Sequence, residues 1–101
     1  GSKKILLVDD DIEICRYLKS ELSDWYRFVI CNNGKEALNQ LLSDDFDLVI
    51  SDVVMPEMDG ITLLRNIKGN ANISHVPVIM LTSKSEISDR LEGIKLGADA
   101  Y

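Results

Sequence analysis

Four short apolar runs, separated by segments of helical periodicity, constrain this chain more than any other feature. They are Ile5-Leu6-Leu7-Val8, Arg27 to Cys31, Leu48-Val49-Ile50 and Val76 to Leu81. Leu48-Val49-Ile50 is too short and too β-branched for a helix and reads as a strand buried on both faces, while Arg27 to Cys31 reads as a short strand. Between the four runs, Ile12, Cys15, Leu18 and Leu22 recur at helical spacing, with Ile14 widening the face. Ala37, Leu38, Leu41 and Leu42 form a second stripe, Ile61, Leu63, Leu64 and Ile67 a third, and Ile87, Leu91 and Ile94 a fourth. Asp11 is placed to cap the first helix, and Asn33 with Glu36 and Ser83 with Glu86 have capping-box spacing. Asp59-Gly60 opens the third helix; Gly69 and Gly97 end the third and fourth. Pro77 fits only near the start of its strand. Asp99-Ala100-Tyr101 would begin a fifth strand. Alternation of strand and helix, with crossovers long enough to hold a helix, demands an α/β doubly wound parallel sheet with helices on both faces.

At 101 residues the chain is one domain with a modest core. Its 46 % apolar and 28 % charged content is that of a globular protein and argues against disorder. No apolar segment approaches the ~20 residues that span a bilayer, so membrane insertion is not expected. The net charge of −6 disfavours direct nucleic-acid binding, because phosphate contacts need a basic face. Cys15 and Cys31 lie within apolar patterns without metal-ligand spacing and read as buried free thiols in a reducing cytoplasm. Gly1-Ser2, in place of an initiator Met, reads as a cloning scar, leaving 3–101 as the domain.

The chemistry gathers where strands end. The first run stops on Asp9-Asp10-Asp11, the third on Asp52, the fourth on Thr82-Ser83-Lys84. In a parallel sheet these ends share one edge, where open α/β sheets place their ligands. Asp11 is explained as a helix cap, whereas Asp9, directly ending a strand, and Asp52, matching it on another, are not. Converging carboxylates repel one another unless protonated or neutralised by a cation. An oxygen-only donor set suits Mg²⁺ better than zinc. His75, ahead of a Pro in a loop, reads as a surface residue, and Trp25 as a partly buried packing residue.

Ile-Leu-Leu-Val-Asp-Asp-Asp, Ser-Asp-Val-Val-Met-Pro-Glu-Met-Asp-Gly, Val-Ile-Met-Leu-Thr-Ser and Leu-Gly-Ala-Asp-Ala-Tyr, in that order, resemble the receiver domain of bacterial two-component response regulators. The match runs from Lys3 to Tyr101. The resemblance implies a flavodoxin-like five-stranded sheet of order 2-1-3-4-5. It implies Asp52 as phosphoacceptor from the phosphohistidine of a sensor histidine kinase. It also implies Mg²⁺ held by Asp10, Asp52 and the Val54 backbone carbonyl, with Asp9 acting through water. Thr82 and Tyr101 would form the switch that reports phosphorylation. The family's Lys after the aromatic, its Pro and its fifth helix have no counterpart here, so the last strand and final helix read as incomplete, exposing an apolar flank suited to a homodimer. The implied role is cytoplasmic phosphorelay signalling, with transcription regulation as output, in a free-standing regulator or a hybrid sensor. Two alternatives are a receiver-like interaction module working without phosphate, and a haloacid-dehalogenase-like phosphatase with Asp9 as nucleophile. Glu13, where such phosphatases carry Thr or Val, counts against the latter.

Overall fold

The computed structural model describes residues 3–81 and Gly97. Its elements follow in the expected alternation: β1 (Lys3–Val8), α1 (Ile12–Leu22), β2 (Tyr26–Cys31), α2 (Gly34–Ser43), β3 (Leu48–Asp52), α3 (Gly60–Lys68) and β4 (Val78–Leu81). The described strands form one parallel sheet of order β2-β1-β3-β4. Four strands of the anticipated order are therefore present. The fourth helical stripe, its Ser83–Glu86 cap, the fifth strand, Thr82 and Tyr101 lie outside the described residues. Gly97 has φ 98°, the left-handed conformation that commonly ends a helix.

Strand alternation sorts the side chains into two layers. Leu6, Val8, Cys31, Val49, Val78 and Met80 join Ala37 and Leu41 of α2 and Ile61, Leu63, Leu64 and Ile67 of α3 in one buried cluster. Ile5 and Leu7 alternate to the other face and are also buried, and Cys15 of α1 is buried outside that cluster. Both cysteines are free, buried thiols, as their apolar settings suggest.

The caps match their sequence signals. Asp11 Oδ1 accepts from the Glu13 and Ile14 amides. Asn33 Oδ1 accepts from the Glu36 amide at 2.8 Å, and the Asp59 carboxylate from the Thr62 amide at 2.8 Å. Gly69 closes α3 by donating to the Arg65 carbonyl.

Four expectations need correction. Ile12 and Ile14 are exposed, because Cys15 is the buried residue of α1: Ile12 is the first residue of the helix, and Ile14 is rotated by one residue, about 100°, from Cys15. Leu42 is likewise turned away from the core by one residue relative to buried Leu41. Trp25, on the turn where its amide donates to the Leu22 carbonyl, is 67 % exposed rather than packed. The fourth strand begins at Val78 instead of Val76. The Val76 amide is used by the Ile73 carbonyl in a turn, and Pro77, with no amide hydrogen, contributes only its carbonyl, to the Val49 amide.

At the amino edge of the sheet Lys4 acts as a clamp. Its ammonium pairs with the Asp44 carboxylate just after α2 and lies 4.9 Å from the Phe46 ring centroid. Its backbone exchanges hydrogen bonds with Asp47, amide to Asp47 Oδ2 at 2.8 Å and carbonyl from the Asp47 amide at 2.8 Å. The ammonium and the Asp45 amide hold the Asp44 carboxyl below its ordinary pKa.

Candidate functional site

The parallel pairing of β1 with β3 aligns Val8 with Ser51, so the residues that follow each, Asp9 and Asp52, leave the sheet side by side. One carboxylate oxygen each of Asp9, Asp10 and Asp52 lie within 4.8 Å of one another. Asp9 is nearly buried; its Oδ1 accepts from the Asp11 amide at 2.8 Å, and its own amide donates to the Cys31 carbonyl at 3.1 Å. Asp9 is thus held by backbone, while Asp10 is exposed. Asp52, the last residue of β3, is half-buried and its Oδ1 accepts from the Val53 amide at 2.7 Å.

Burial pushes the Asp9 carboxyl above its usual pKa; the Asp11 amide opposes this, and the Asp52, Asp10 and Asp11 charges add to it. Burial also raises Asp52, against the Val53 and Val54 amides and together with the Asp10 charge. The cluster is therefore anion-rich and under repulsion, the condition a divalent cation relieves. Its donors are all oxygens, with Asp10 and Asp52 open to solvent, which fits a hard ion such as Mg²⁺ that keeps part of its water shell. Burial raises the nearby thiols, Cys15 to about 11 and Cys31 to about 12.

The segment between β3 and α3, Val53 to Asp59, is tightly closed. The Gly60 amide donates to the Val53 carbonyl at 2.8 Å and the Val53 amide to the Leu81 carbonyl at 3.2 Å, tying the segment to the end of β4. A side chain at Gly60 would run into the Asp52 carbonyl oxygen, so only glycine allows α3 to start there. Pro56 fixes one backbone angle, and Glu57 follows with φ 64°, in the left-handed region. Val54, whose carbonyl was implicated in metal binding, is exposed within this segment.

Of the sequence-derived site residues, the structure brings Asp9, Asp10 and Asp52 together and sets Val54 just beyond. Thr82 and Tyr101 lie outside the described residues. Sequence reasoning did not find the Val53 amide that fixes Asp52, since a backbone donor leaves no trace in residue type. Gly60 did carry a signal, a glycine directly after a helix-capping Asp. His75 is exposed at the opposite edge, on a groove of about 670 Å³ remote from the carboxylates.

The sheet order, the acidic edge and the closed segment behind Asp52 define a doubly wound α/β fold with a carboxylate cluster at its strand ends. The model of the response regulator receiver domain matches residues 5–101. The chain is 45 % identical over 97 residues to a transcriptional regulatory protein CpxR homolog of Haemophilus influenzae, covering 95 % of this chain and 41 % of that protein. The signal receiver domain of a signal transduction histidine kinase from Syntrophus aciditrophicus superimposes with a TM-score of 0.90 at 39 % identity, over 98 % of this chain and 76 % of that one. The chemotaxis protein CheY4 of Vibrio cholerae gives a TM-score of 0.91 at 32 % identity, over 99 % and 84 %.

The chain belongs to the response regulator receiver domain family. It is a two-component signalling domain with the flavodoxin-like fold, which sets aside the phosphatase reading with Asp9 as nucleophile. It spans less than half the length of four curated relatives it matches, between 22 % and 46 % of each. Among the described residues no helix is long and apolar enough to cross a membrane.

Proposed function

We propose that Asp52 is the phosphoacceptor and that Asp10, Asp52 and the Val54 carbonyl hold Mg²⁺, with Asp9 acting through a water. The observation that carries this reading is the convergence of three carboxylates from two strand ends within 4.8 Å. In the transfer, an Asp52 carboxylate oxygen bonds to phosphorus while the nitrogen–phosphorus bond of a kinase phosphohistidine breaks and the imidazole nitrogen takes up a proton. Magnesium, when bound, would neutralise charge on the carboxylates and on the phosphoryl oxygens as the group passes to Asp52. The protein's part is positional. The Val53 amide fixes the rotamer of Asp52, the Asp11 amide fixes Asp9, and burial makes the repulsion among the carboxylates costly enough to favour a cation.

Thr82 donates its hydroxyl to the transferred phosphoryl group, and Tyr101 turns inward with it, the two states differing in the surface they present. The Val53–Leu81 backbone bond supports this coupling, because it ties the segment after Asp52 to the residue before Thr82. The donor is a sensor histidine kinase, in trans or within a hybrid chain. The output is transcription regulation in the cytoplasm, through a homodimer or an attached domain.

Incubation with acetyl phosphate and Mg²⁺, followed by intact-mass measurement, should show one phosphoryl group on the wild type and none on Asp52→Asn. Equal uptake by the variant would overturn the assignment. Absence of uptake by both, with no stabilisation by Mg²⁺ and beryllofluoride, would favour an interaction module that works without phosphate.

A further inference from the structure

The segment that carries Val54 is braced at its far end by a different element. Gly34 is the first residue of α2, yet it is buried, because Met58 crosses directly over it. The Gly34 amide donates to the Met58 carbonyl at 3.0 Å. That amide is one of the four at a helix start that lack an intrahelical partner. A Cβ at position 34 would stand 2.5 Å from the Met58 carbonyl oxygen and 3.0 and 3.1 Å from Met58 Cγ and Cβ, so any other residue forces the Met58 backbone to move. The Met58 side chain is partly buried against the main core, and Asn66 of α3 reaches its sulfur at 3.9 Å.

Between Met58 and Val54 lie only Met55, Pro56 and Glu57. Pro56 has a fixed φ and Glu57 sits in the left-handed region, so this link is stiff. A shift at Met58 is carried back to the Val54 carbonyl rather than absorbed, because the segment's start is pinned through Val53 and its end through Gly60. We propose that Gly34 is a positioning residue for the metal site: by admitting Met58 and donating to its carbonyl, it sets where the Val54 carbonyl stands. The inference rests on the metal reading above. It makes the start of α2 a part of the site that touches neither the carboxylates nor the phosphoryl group. Since coupling is reciprocal, a bound cation tightens the Gly34–Met58 bond as much as that bond favours the cation.

The test is amide hydrogen exchange on the full chain, with and without Mg²⁺, alongside Mg²⁺ affinity by titration of backbone amide signals. Exchange at Gly34 should slow with Mg²⁺ several-fold more than at Leu41, whose buried amide in the same helix reads the global stabilisation alone, and in step with Gly60. Gly34→Ala should weaken Mg²⁺ binding by about tenfold or more, the usual size of an outer-sphere effect. Leu41→Ala, which loosens the same helix from the core, should leave the affinity unchanged. If Mg²⁺ stabilises the chain but Gly34 exchange slows no more than that of Leu41, or if the Leu41 variant loses affinity equally, Gly34 is merely structural and the inference falls while the metal reading stands. If Mg²⁺ alters neither stability nor any amide near Asp52, both fall. The exchange measurement needs no variant, so it decides even if Gly34→Ala does not fold.

Discussion

At Asp52 the chain holds a charge where its own burial and the Asp10 carboxylate disfavour one. Without metal, Asp52→Asn should therefore stabilise the domain, by about 1 kcal/mol for one relieved like-charge contact at a partly solvated site. The pH dependence has a definite sign. A carboxyl whose pKa is raised by folding binds its proton more tightly in the native state, so the native state is penalised as pH rises through the raised value. The advantage of Asp52→Asn should be small below the usual carboxylate range and grow toward neutral pH. Urea unfolding of both proteins in chelator at several pH values measures it. With Mg²⁺ the order should reverse, since only the wild type gains binding energy, about 2.7 kcal/mol at a hundred times the dissociation constant. An advantage that shrinks with rising pH would contradict the repulsion described for the cluster.

Among the elements, α3 does most to hold the site, since its first residue abuts the Asp52 backbone. Its cap and its buried face are separable. Asp59→Ala removes the acceptor for the Thr62 amide and should cost about 1 kcal/mol. Leu64→Ala empties a position with no solvent exposure and should cost about 2–5 kcal/mol. Thermal unfolding of the two variants checks the ranking; a cap variant as damaging as the core variant would mean that Asp59 also supports the preceding segment. This element was legible in advance because a capping Asp, a four-residue apolar stripe and a terminal Gly all agree. The face of α1 was less legible. Ile12, Ile14, Cys15 and Leu18 fit one broad stripe in sequence, and only the actual crossing of helix over sheet shows that Cys15 is its centre. The start of β4 was missed because hydrophobicity continues through Val76 and Pro77 while hydrogen bonding does not.

For the whole molecule, the sheet order and the acidic edge could be read early because parallel connectivity forces strand ends to coincide. Asp9, Asp10 and Asp52 meet for that reason and no other. What escaped are contacts made by backbone: the Val53 amide on Asp52, the Val53–Leu81 bond, and the crossing of Met58 over Gly34. None of these has a residue-type signature beyond a glycine. Lys4, just ahead of the first apolar run, carries no residue-type signal of its role, although it joins β1, the end of α2 and the start of β3.

That Lys4 clamp gives the domain a lopsided response to ionic strength. At one rim of the sheet opposite charges are already matched, and salt can only weaken their attraction; at the other, like charges face each other, and salt can only ease their discomfort. The two effects oppose, so the wild type without divalent metal should show a shallow dependence of melting temperature on sodium chloride. Lys4→Met keeps the aliphatic stem and deletes one side of the balance. Its melting temperature should then climb steadily with salt, and a flat profile would show that the acidic rim is already screened. In the wild type the two rims answer added salt with opposite signs, and the answers cancel only while Lys4 is in place.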